Sequence, residues 1–263
     1  MNKFLEAALG VSPAAIVRGV RLGARQGLRT ARRSFAMAAP FAAGAGEAGP
    51  LGIPQVTLDE ILGARKSAIT LNVMAYEDGM LPLRDAVPLL SIAVAEQPRT
   101  IVEIGTYMGH TARALAQNVP NATVHTIDLP PDFAPSQAAE LNGMPKDDFH
   151  LIAKRRVGRE FVGTEFERRI VQHFGDTAEM DFVPLRPASF FFIDGSHTFE
   201  YCRSDTDKCL EIATDGAVFF WHDCDESHVG VVRAVQEFRA RGMDVAMIAG
   251  TALAYWKKPT GSA

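Results

Sequence analysis

Apolar and polar positions along this chain repeat with two periods. Short apolar runs recur from residue 100 onward, and the segments between them repeat at helical spacing. Residues 100–104, 122–129, 170–173, 189–193 and 217–221 predict strands. Ser189–Ile193 is almost wholly apolar, as expected of a central parallel strand buried on both faces. Helical patterns occupy 86–95, 110–118, 199–213 and 229–240. Alternation of strand and helix implies a doubly wound, mostly parallel sheet of the α/β class. Two closing strands near 244–249 and 252–256, turning at Gly250, predict an antiparallel hairpin at the sheet edge and bring the count to a seven-stranded sheet. Upstream, Thr57 with Glu60 three residues on has the spacing of a capping box for a short helix ending at Gly63.

This pattern divides the chain. Residues 51–263 form the expected domain, with 130–160, rich in proline and mixed charge, as an insertion or lid. Residues 1–50 differ in kind. Arg18, Arg21, Arg25, Arg29, Arg32 and Arg33 would share about a third of a helix's circumference. Gly19, Gly23 and Gly27 weaken such a helix by roughly 1 kcal/mol each relative to Ala. A partly disordered or helical extension is expected, with weak membrane-surface association or organelle targeting left open. The run Phe41–Pro50 reads as a flexible linker.

Composition narrows the classes. A chain of 263 residues with 47% hydrophobic and 22% charged positions suits a globular protein, and a net charge of −4 gives no signature of nucleic-acid binding. Cys202, Cys209 and Cys224 form neither a zinc-type spacing nor an even disulfide set, which fits a reducing, cytoplasmic setting. No apolar run reaches the roughly 18 residues of a membrane span. A homodimer is compatible with all of this.

Candidate chemistry gathers at the carboxyl ends of the predicted strands, where open α/β sheets bind ligands. Glu103-Ile-Gly105-Thr106-Tyr107-Met-Gly109-His joins an apolar strand to a helix through a glycine turn. It lacks the Gly-x-Gly-x-x-Gly spacing of a dinucleotide site, and its carboxylate suits a ligand with a cationic head. Asp128 ends the second strand, where a carboxylate can accept both ribose hydroxyls. Gly175-Asp176-Thr177 follows the third, Asp194-Gly-Ser-His197 the fourth and His222-Asp223 the fifth. A histidine at a strand tip, titrating near neutrality, is suited to take a hydroxyl proton.

The Glu103–Gly109 pattern resembles the first motif of class I S-adenosylmethionine-dependent methyltransferases, and more narrowly that of catechol and caffeoyl-CoA O-methyltransferases and related bacterial small-molecule enzymes. The resemblance covers roughly residues 75–256. It implies the Rossmann-like methyltransferase fold and S-adenosyl-L-methionine as cofactor, held by Glu103, Gly105, Thr106, Tyr107, Gly109, Asp128, Asp176, Thr177 and Asp194. It implies O-methylation of a small-molecule acceptor, with His197 as general base where the catechol enzymes have lysine, and Asp194 beside it. It also implies a Mg²⁺ site on Asp194 and Asp223 with His222 or Asp225, although the Asn expected after the second aspartate is missing. Metal-assisted and metal-free versions both stand open. The segment Tyr76–Met80 and the 130–160 insertion are the expected cofactor cover and acceptor pocket. The alternatives are another Rossmann-like enzyme, nicotinamide-dependent or hydroxylase-like, or a non-catalytic cofactor-binding protein.

Overall fold

Thr57 opens the first helix as its spacing predicts. Its hydroxyl accepts the Glu60 N–H at 3.2 Å, and Glu60 Oε2 accepts the Thr57 N–H at 2.7 Å. The computed structural model describes residues 49, 51–71, 79–133 and 146–261. The arginine-rich extension and linker, Gly49 excepted, lie outside the described residues. So do Tyr76, Glu77, Asp78 and the 134–145 part of the expected insertion.

In chain order the elements are β1 (Gln55–Val56), α1 (Leu58–Leu62), α2 (Leu83–Glu96), β2 (Thr100–Ile104), α3 (His110–Asn118) and β3 (Thr123–Asp128). There follow α4 (Lys146–Lys154), β4 (Ile170–Phe174), β5 (Ala188–Ile193), α5 (Phe199–Ile212), β6 (Ala213–Trp221), α6 (Val229–Ala240), β7 (Ala246–Ile248) and β8 (Ala254–Lys257). One sheet holds all the strands in the order β1-β7-β8-β6-β5-β2-β3-β4. Every pairing is parallel except those of β8, which runs antiparallel to both β6 and β7.

The hairpin near the carboxyl terminus therefore forms as expected, and the sheet has one strand more than the apolar runs predicted. Gln55–Val56 is too short to show an alternation, yet it pairs with Met247 and Ile248 and covers β7. Strand β6 begins at Ala213, earlier than its apolar run. Gly216, at φ 74°, breaks the regular backbone between the two parts.

The sheet is buried on both faces. Phe190, Phe192, Val218 and Phe220 pack with residues of α2 and α3 on one side. Phe191, Ile193, Phe219 and Trp221 pack with α5 and α6 on the other. Cross-strand aromatic pairs join β5 to β6, Phe191 with Phe219 at 4.4 Å and Phe190 with Phe220 at 5.3 Å. Two covered faces explain why Ser189–Ile193 shows no alternation.

Topology then decides where a ligand can sit. The chain runs outward through β2, β3 and β4 and returns to β5 on the other side of β2. Helix α3 lies on one face and α5 on the opposite face, so the crevice opens where β2 and β5 end side by side. Ile104 pairs with Ile193, which sets the glycine turn beside Asp194.

Candidate active site

The strand ends are joined by backbone hydrogen bonds running past the regular ladder. Asp194 N–H donates to Ile104 O at 2.9 Å, Gly105 N–H to Ile127 O at 2.9 Å, His222 N–H to Ile193 O at 3.1 Å and Gly175 N–H to Asp128 O at 3.0 Å. Five sequence-predicted positions are thereby held along one edge. Gly105, at φ 96°, is the tightest of them, because a Cβ there would lie 2.0 Å from the Asp194 carbonyl oxygen. Only glycine lets the β2 turn and the β5 tip approach so closely.

Beneath the turn, Glu103 is 1% exposed. One carboxylate oxygen accepts the Thr126 hydroxyl, whose Oγ1 lies 2.7 Å from Thr106 Oγ1, and Gln172 Nε2 donates to Thr106 Oγ1 at 3.0 Å. The other oxygen, Oε1, has no hydrogen-bond partner among the described residues. Burial pushes Glu103 up to about 8, with Asp194 and Asp128 adding to the rise against the pull of Thr126. A buried carboxyl with one idle oxygen beside a glycine cradle fits an ammonium group.

Asp128 is engaged from two sides. The Tyr107 N–H donates to its Oδ2 at 2.7 Å, and Tyr107 itself holds a positive φ of 49°. Arg155 Nε stands 3.4 Å from Oδ1. Burial raises the Asp128 pKa against the pull of Tyr107, Arg155 and neighbouring amides. Arg155 also donates to Pro130 O at 2.8 Å and Ile152 O at 3.0 Å. The described end of the expected insertion thus packs on the glycine turn. Gly158 N–H donates to Tyr107 O at 3.1 Å and Glu160 N–H to Met108 O at 2.9 Å, while Phe161 lies where a Cβ on Gly109 would fall, 2.6 Å away.

Asp176 serves its own loop. Its carboxylate accepts the Ala178 N–H at 2.9 Å and the Tyr201 hydroxyl at 3.0 Å. Thr177 hydrogen-bonds to Asp205, which is 1% exposed and was not foreseen. Burial pushes Asp205 up to about 7, and Asp176 adds to the rise against the Thr177 hydrogen bond and Lys208. Its Oδ1 has no hydrogen-bond partner among the described residues.

A folded pKa above the unfolded one means that the native state holds the proton longer. Its stability is then greatest below about pH 4 and is lost as pH rises to about 7. The unfolding free energy of the wild type, from denaturant titrations, should fall between about pH 4 and pH 7, by up to roughly 1.4 kcal/mol per pH unit from this group. Asp205→Asn should flatten that slope, leaving the part due to Glu103. An unchanged slope in the variant would remove Asp205 from the account.

The later strand ends form a network of alternating charge. His197 Nε2 lies 2.9 Å from Asp223 Oδ2. His222 Nδ1 lies 3.0 Å from Asp194 Oδ1 and 3.2 Å from Asp223 Oδ2. The carboxylate that holds His197 is therefore Asp223, and Asp194 holds His222 instead, because Asp194 is tied back to β2 while Asp223 turns outward at φ 54°. His222 Nε2 reaches Asp85 Oδ2 at 3.2 Å, and Asp85, at 0% exposure, accepts the Ala252 N–H at 3.0 Å. Although burial opposes it, contact with Asp194, then Asp223 and Asp85, raises the His222 pKa well above the usual histidine range. His197 and His222 hold Asp223 well below the ordinary carboxylate range despite its burial. Burial raises Asp194, with His222 pulling the other way.

His228 joins this edge, with Nδ1 3.0 Å from Asp225 Oδ1 and its ring 4.4 Å from that of His197. A cavity of about 300 Å³ opens there, lined by His197, Thr198, Phe199, His228, Gly230 and Arg233. Gly230 is required at its wall, since a Cβ there would lie 2.2 Å from the His197 carbonyl oxygen.

Asp194, His222 and Asp223 come together as the sequence predicted, their candidate ligand atoms within 4.8 Å of one another. Two carboxylates and an imidazole are a set that would hold Mg²⁺: Nδ1 of His222 faces Asp194 and Asp223, and Nε2 is held from behind by Asp85. His197, Asp223 and His228 form a second close group, in which Nε2 of His197 faces Asp223 and Nδ1 of His228 faces Asp225.

Asp85, Arg155 and Asp205 escape a reading of the sequence. Asp85 meets its partner 137 positions away, which no local pattern signals. Asp205 left a trace, standing between Cys202 and Cys209 on the buried stripe of α5. The three cysteines are free and buried, and burial raises each thiol's pKa. Among the described residues no helix is long and apolar enough to cross a membrane.

Residues 102–224 match a family model described as "Methyltransferase domain". No curated protein matches the chain. Among solved structures, a Staphylococcus aureus protein assigned provisionally to the caffeoyl-CoA O-methyltransferases matches with a TM-score of 0.50 and 14% identity, over 68% of this chain and 85% of its own. The cofactor-bound Rv0187 from MTB matches with 0.49 and 19%, over 69% and 83%. The O-methyltransferase TomG from Streptomyces achromogenes, solved with SAM, gives 0.46 and 22%, over 70% and 83%. At 14% identity the first of these likenesses speaks to the fold alone.

Proposed function

We propose that this chain is a class I S-adenosylmethionine-dependent methyltransferase and that it moves the methyl group to a hydroxyl of a small molecule, with His197 taking the proton. The observation that carries this reading is the adjacency of two half-sites: the Gly105 turn and the Asp194 tip touch through the Asp194 N–H to Ile104 O bond. One half is suited to the cofactor and the other to the acceptor.

On the cofactor side, Glu103 Oε1 is the buried acceptor for an ammonium group, and Gly105 and Gly109 leave room for the methionine chain. Thr106 and Tyr107 belong to the same turn, and Asp128 is placed for ribose hydroxyls. Asp176 and Thr177 are the candidates beside adenine, with Asp194 between the two halves. Residues 155–160 pack on the turn through Arg155, Gly158 and Glu160. When bound, S-adenosylmethionine supplies a methyl group already activated on a sulfonium, so alignment and exclusion of water account for most of the protein's contribution.

On the acceptor side, the cavity beside His197 receives the small molecule. His197 and Asp223 form a histidine–carboxylate pair in which Asp223 orients the ring and stabilises it once charged. The acceptor oxygen gains the methyl and loses its proton to His197, and the sulfonium leaves as a neutral thioether. The match of residues 102–224 to a methyltransferase family model supports this reading over the nicotinamide-dependent and non-catalytic alternatives. Calorimetric titration with S-adenosylhomocysteine should give one site per chain, and its absence would sink the reading. Transfer of labelled methyl to amines but never to hydroxyls, across a panel of both, would refute the hydroxyl assignment.

A further inference from the structure

Three arginines stand on α6 or just past its end, and two of them are engaged by the fold. Arg239 lies 3.8 Å from Asp244 Oδ1 and Arg241 lies 2.6 Å from Asp207 Oδ1. Arg233 has no ion-pair partner among the described residues. What holds it is Phe199, the first residue of α5, whose ring centroid lies 4.7 Å from the guanidinium carbon. Stacking of that kind engages the face of the guanidinium and leaves the N–H groups, which lie in its plane, available. Arg233 is thus exposed to solvent yet held against the protein.

Arg233 lines the cavity beside His197. Gly230, three positions earlier and so on the same face of α6, packs against the His197 carbonyl, and Phe199 follows His197 by two residues. The cation therefore belongs to the same wall as the proposed base. Carboxylates near this space are already answered. Asp223 meets His197 at 2.9 Å, and Asp225 accepts from the Ser227 N–H at 2.8 Å and lies 3.0 Å from His228 Nδ1. Glu200 also lines the cavity, exposed in the first turn of α5, where that helix's own N–H groups offset its charge. The first turn of α6 carries no acidic residue and no side-chain cap, so its amides add to Arg233 rather than oppose it. A volume of about 300 Å³, about ten waters' worth, takes a single ring with its substituents.

We propose that the small molecule taken by this cavity carries an oxyanion, a carboxylate or a phosphate, which Arg233 binds while a hydroxyl of the same molecule faces His197. That this molecule is a methyl acceptor rests on the function proposed above, whereas the anion site rests on Arg233 and its cavity alone. A planar guanidinium with available N–H groups side by side matches either oxyanion through two parallel hydrogen bonds. Arg233 is a specificity residue: it selects which molecule enters and takes no proton.

The full-length protein, labelled with nitrogen-15, is titrated at low salt with benzoate against benzamide, and with phenyl phosphate against phenol. Amide shifts at Val229 and Gly230 report the cavity, and those at Gly105 and Gly109 report the glycine turn. At least one anion should bind at the cavity about tenfold more tightly than its neutral counterpart, the gap expected of a charge-assisted contact near water. That gap should narrow as salt rises. The pair that shows it tells carboxylate from phosphate. Arg233→Met keeps an apolar stem over Phe199 without the charge, and should erase the gap. Arg233→Lys keeps the charge without the planar fork, and should retain part of it. Equal binding of anion and neutral counterpart in both pairs would overturn the proposal. So would anions that shift only the glycine turn, no binding of either anion up to tens of millimolar, or a gap that survives Arg233→Met. Arg233 is exposed, so both variants should fold, which their thermal midpoints check. Failure of S-adenosylhomocysteine to bind would strike the methyltransferase reading and leave these titrations standing. Its binding alongside anions that show no gap would strike the anion site and leave that reading standing.

Discussion

Replacing His197 by alanine is expected to lower methyl transfer by about 10²–10⁴-fold, the range for losing a positioned general base. S-adenosylhomocysteine should bind as before. The split follows from where His197 stands. It is held by Asp223 and lines the cavity at the starts of α5 and α6, while the residues suited to the cofactor lie on the far side of Asp194. Its loss leaves Asp223 still paired with His222 at 3.2 Å, so the edge keeps its charge balance. His197→Gln tests the same point with less loss of volume. It retains a polar group but cannot carry a proton away, and it should be as slow as the alanine variant. Transfer at the wild-type rate in either variant would remove His197 from the mechanism. A parallel loss of S-adenosylhomocysteine affinity would make it a structural residue.

Gly105→Ala is the second large effect and acts on the opposite half. The new methyl group would sit 2.0 Å from the Asp194 carbonyl oxygen, at a φ of 96° that alanine rarely adopts. Neither neighbour can yield cheaply, because Asp194 N–H is bonded to Ile104 O and Gly105 N–H to Ile127 O. Strain of this kind costs of the order of 1–3 kcal/mol in the backbone alone, before the steric overlap is counted. Cofactor binding should be abolished, and the denaturant midpoint should fall. A variant with wild-type stability and affinity would show that β2 and β5 are not held together as described. Gly63→Ala is the matched control, with φ 57° but nothing within 4 Å of its Cβ. It should lose some stability and keep its affinity.

The division of the sheet was legible because burial writes itself into residue type. Ser189–Ile193 reads as a two-faced strand, and the structure places Phe190 and Phe192 on one face and Phe191 and Ile193 on the other. The glycine turn was legible for a related reason, since close approach of two backbones excludes side chains. The two-residue β1 was not, because Gln55–Val56 is shorter than any period it could display. At the site, the residue types at the strand ends were visible, and their pairing was not. Asp194 and Asp223 are equally plausible partners for His197 along the chain. Only the outward turn at Asp223 and the tether on Asp194 decide between them. Asp85 belongs to a helix far upstream and reaches His222 only because α2 is folded against the sheet.

Arg155 carries a consequence for ligand binding. It is 3% exposed and reaches Asp128 from the segment that covers the glycine turn, so one carboxylate faces both the cover and the place proposed for the ribose. A ligand that takes up Asp128 would share that carboxylate with Arg155, so its binding would bear on how the cover settles. Occupancy of the nucleoside site and position of the cover are then a single linked equilibrium, with the same coupling read from either side.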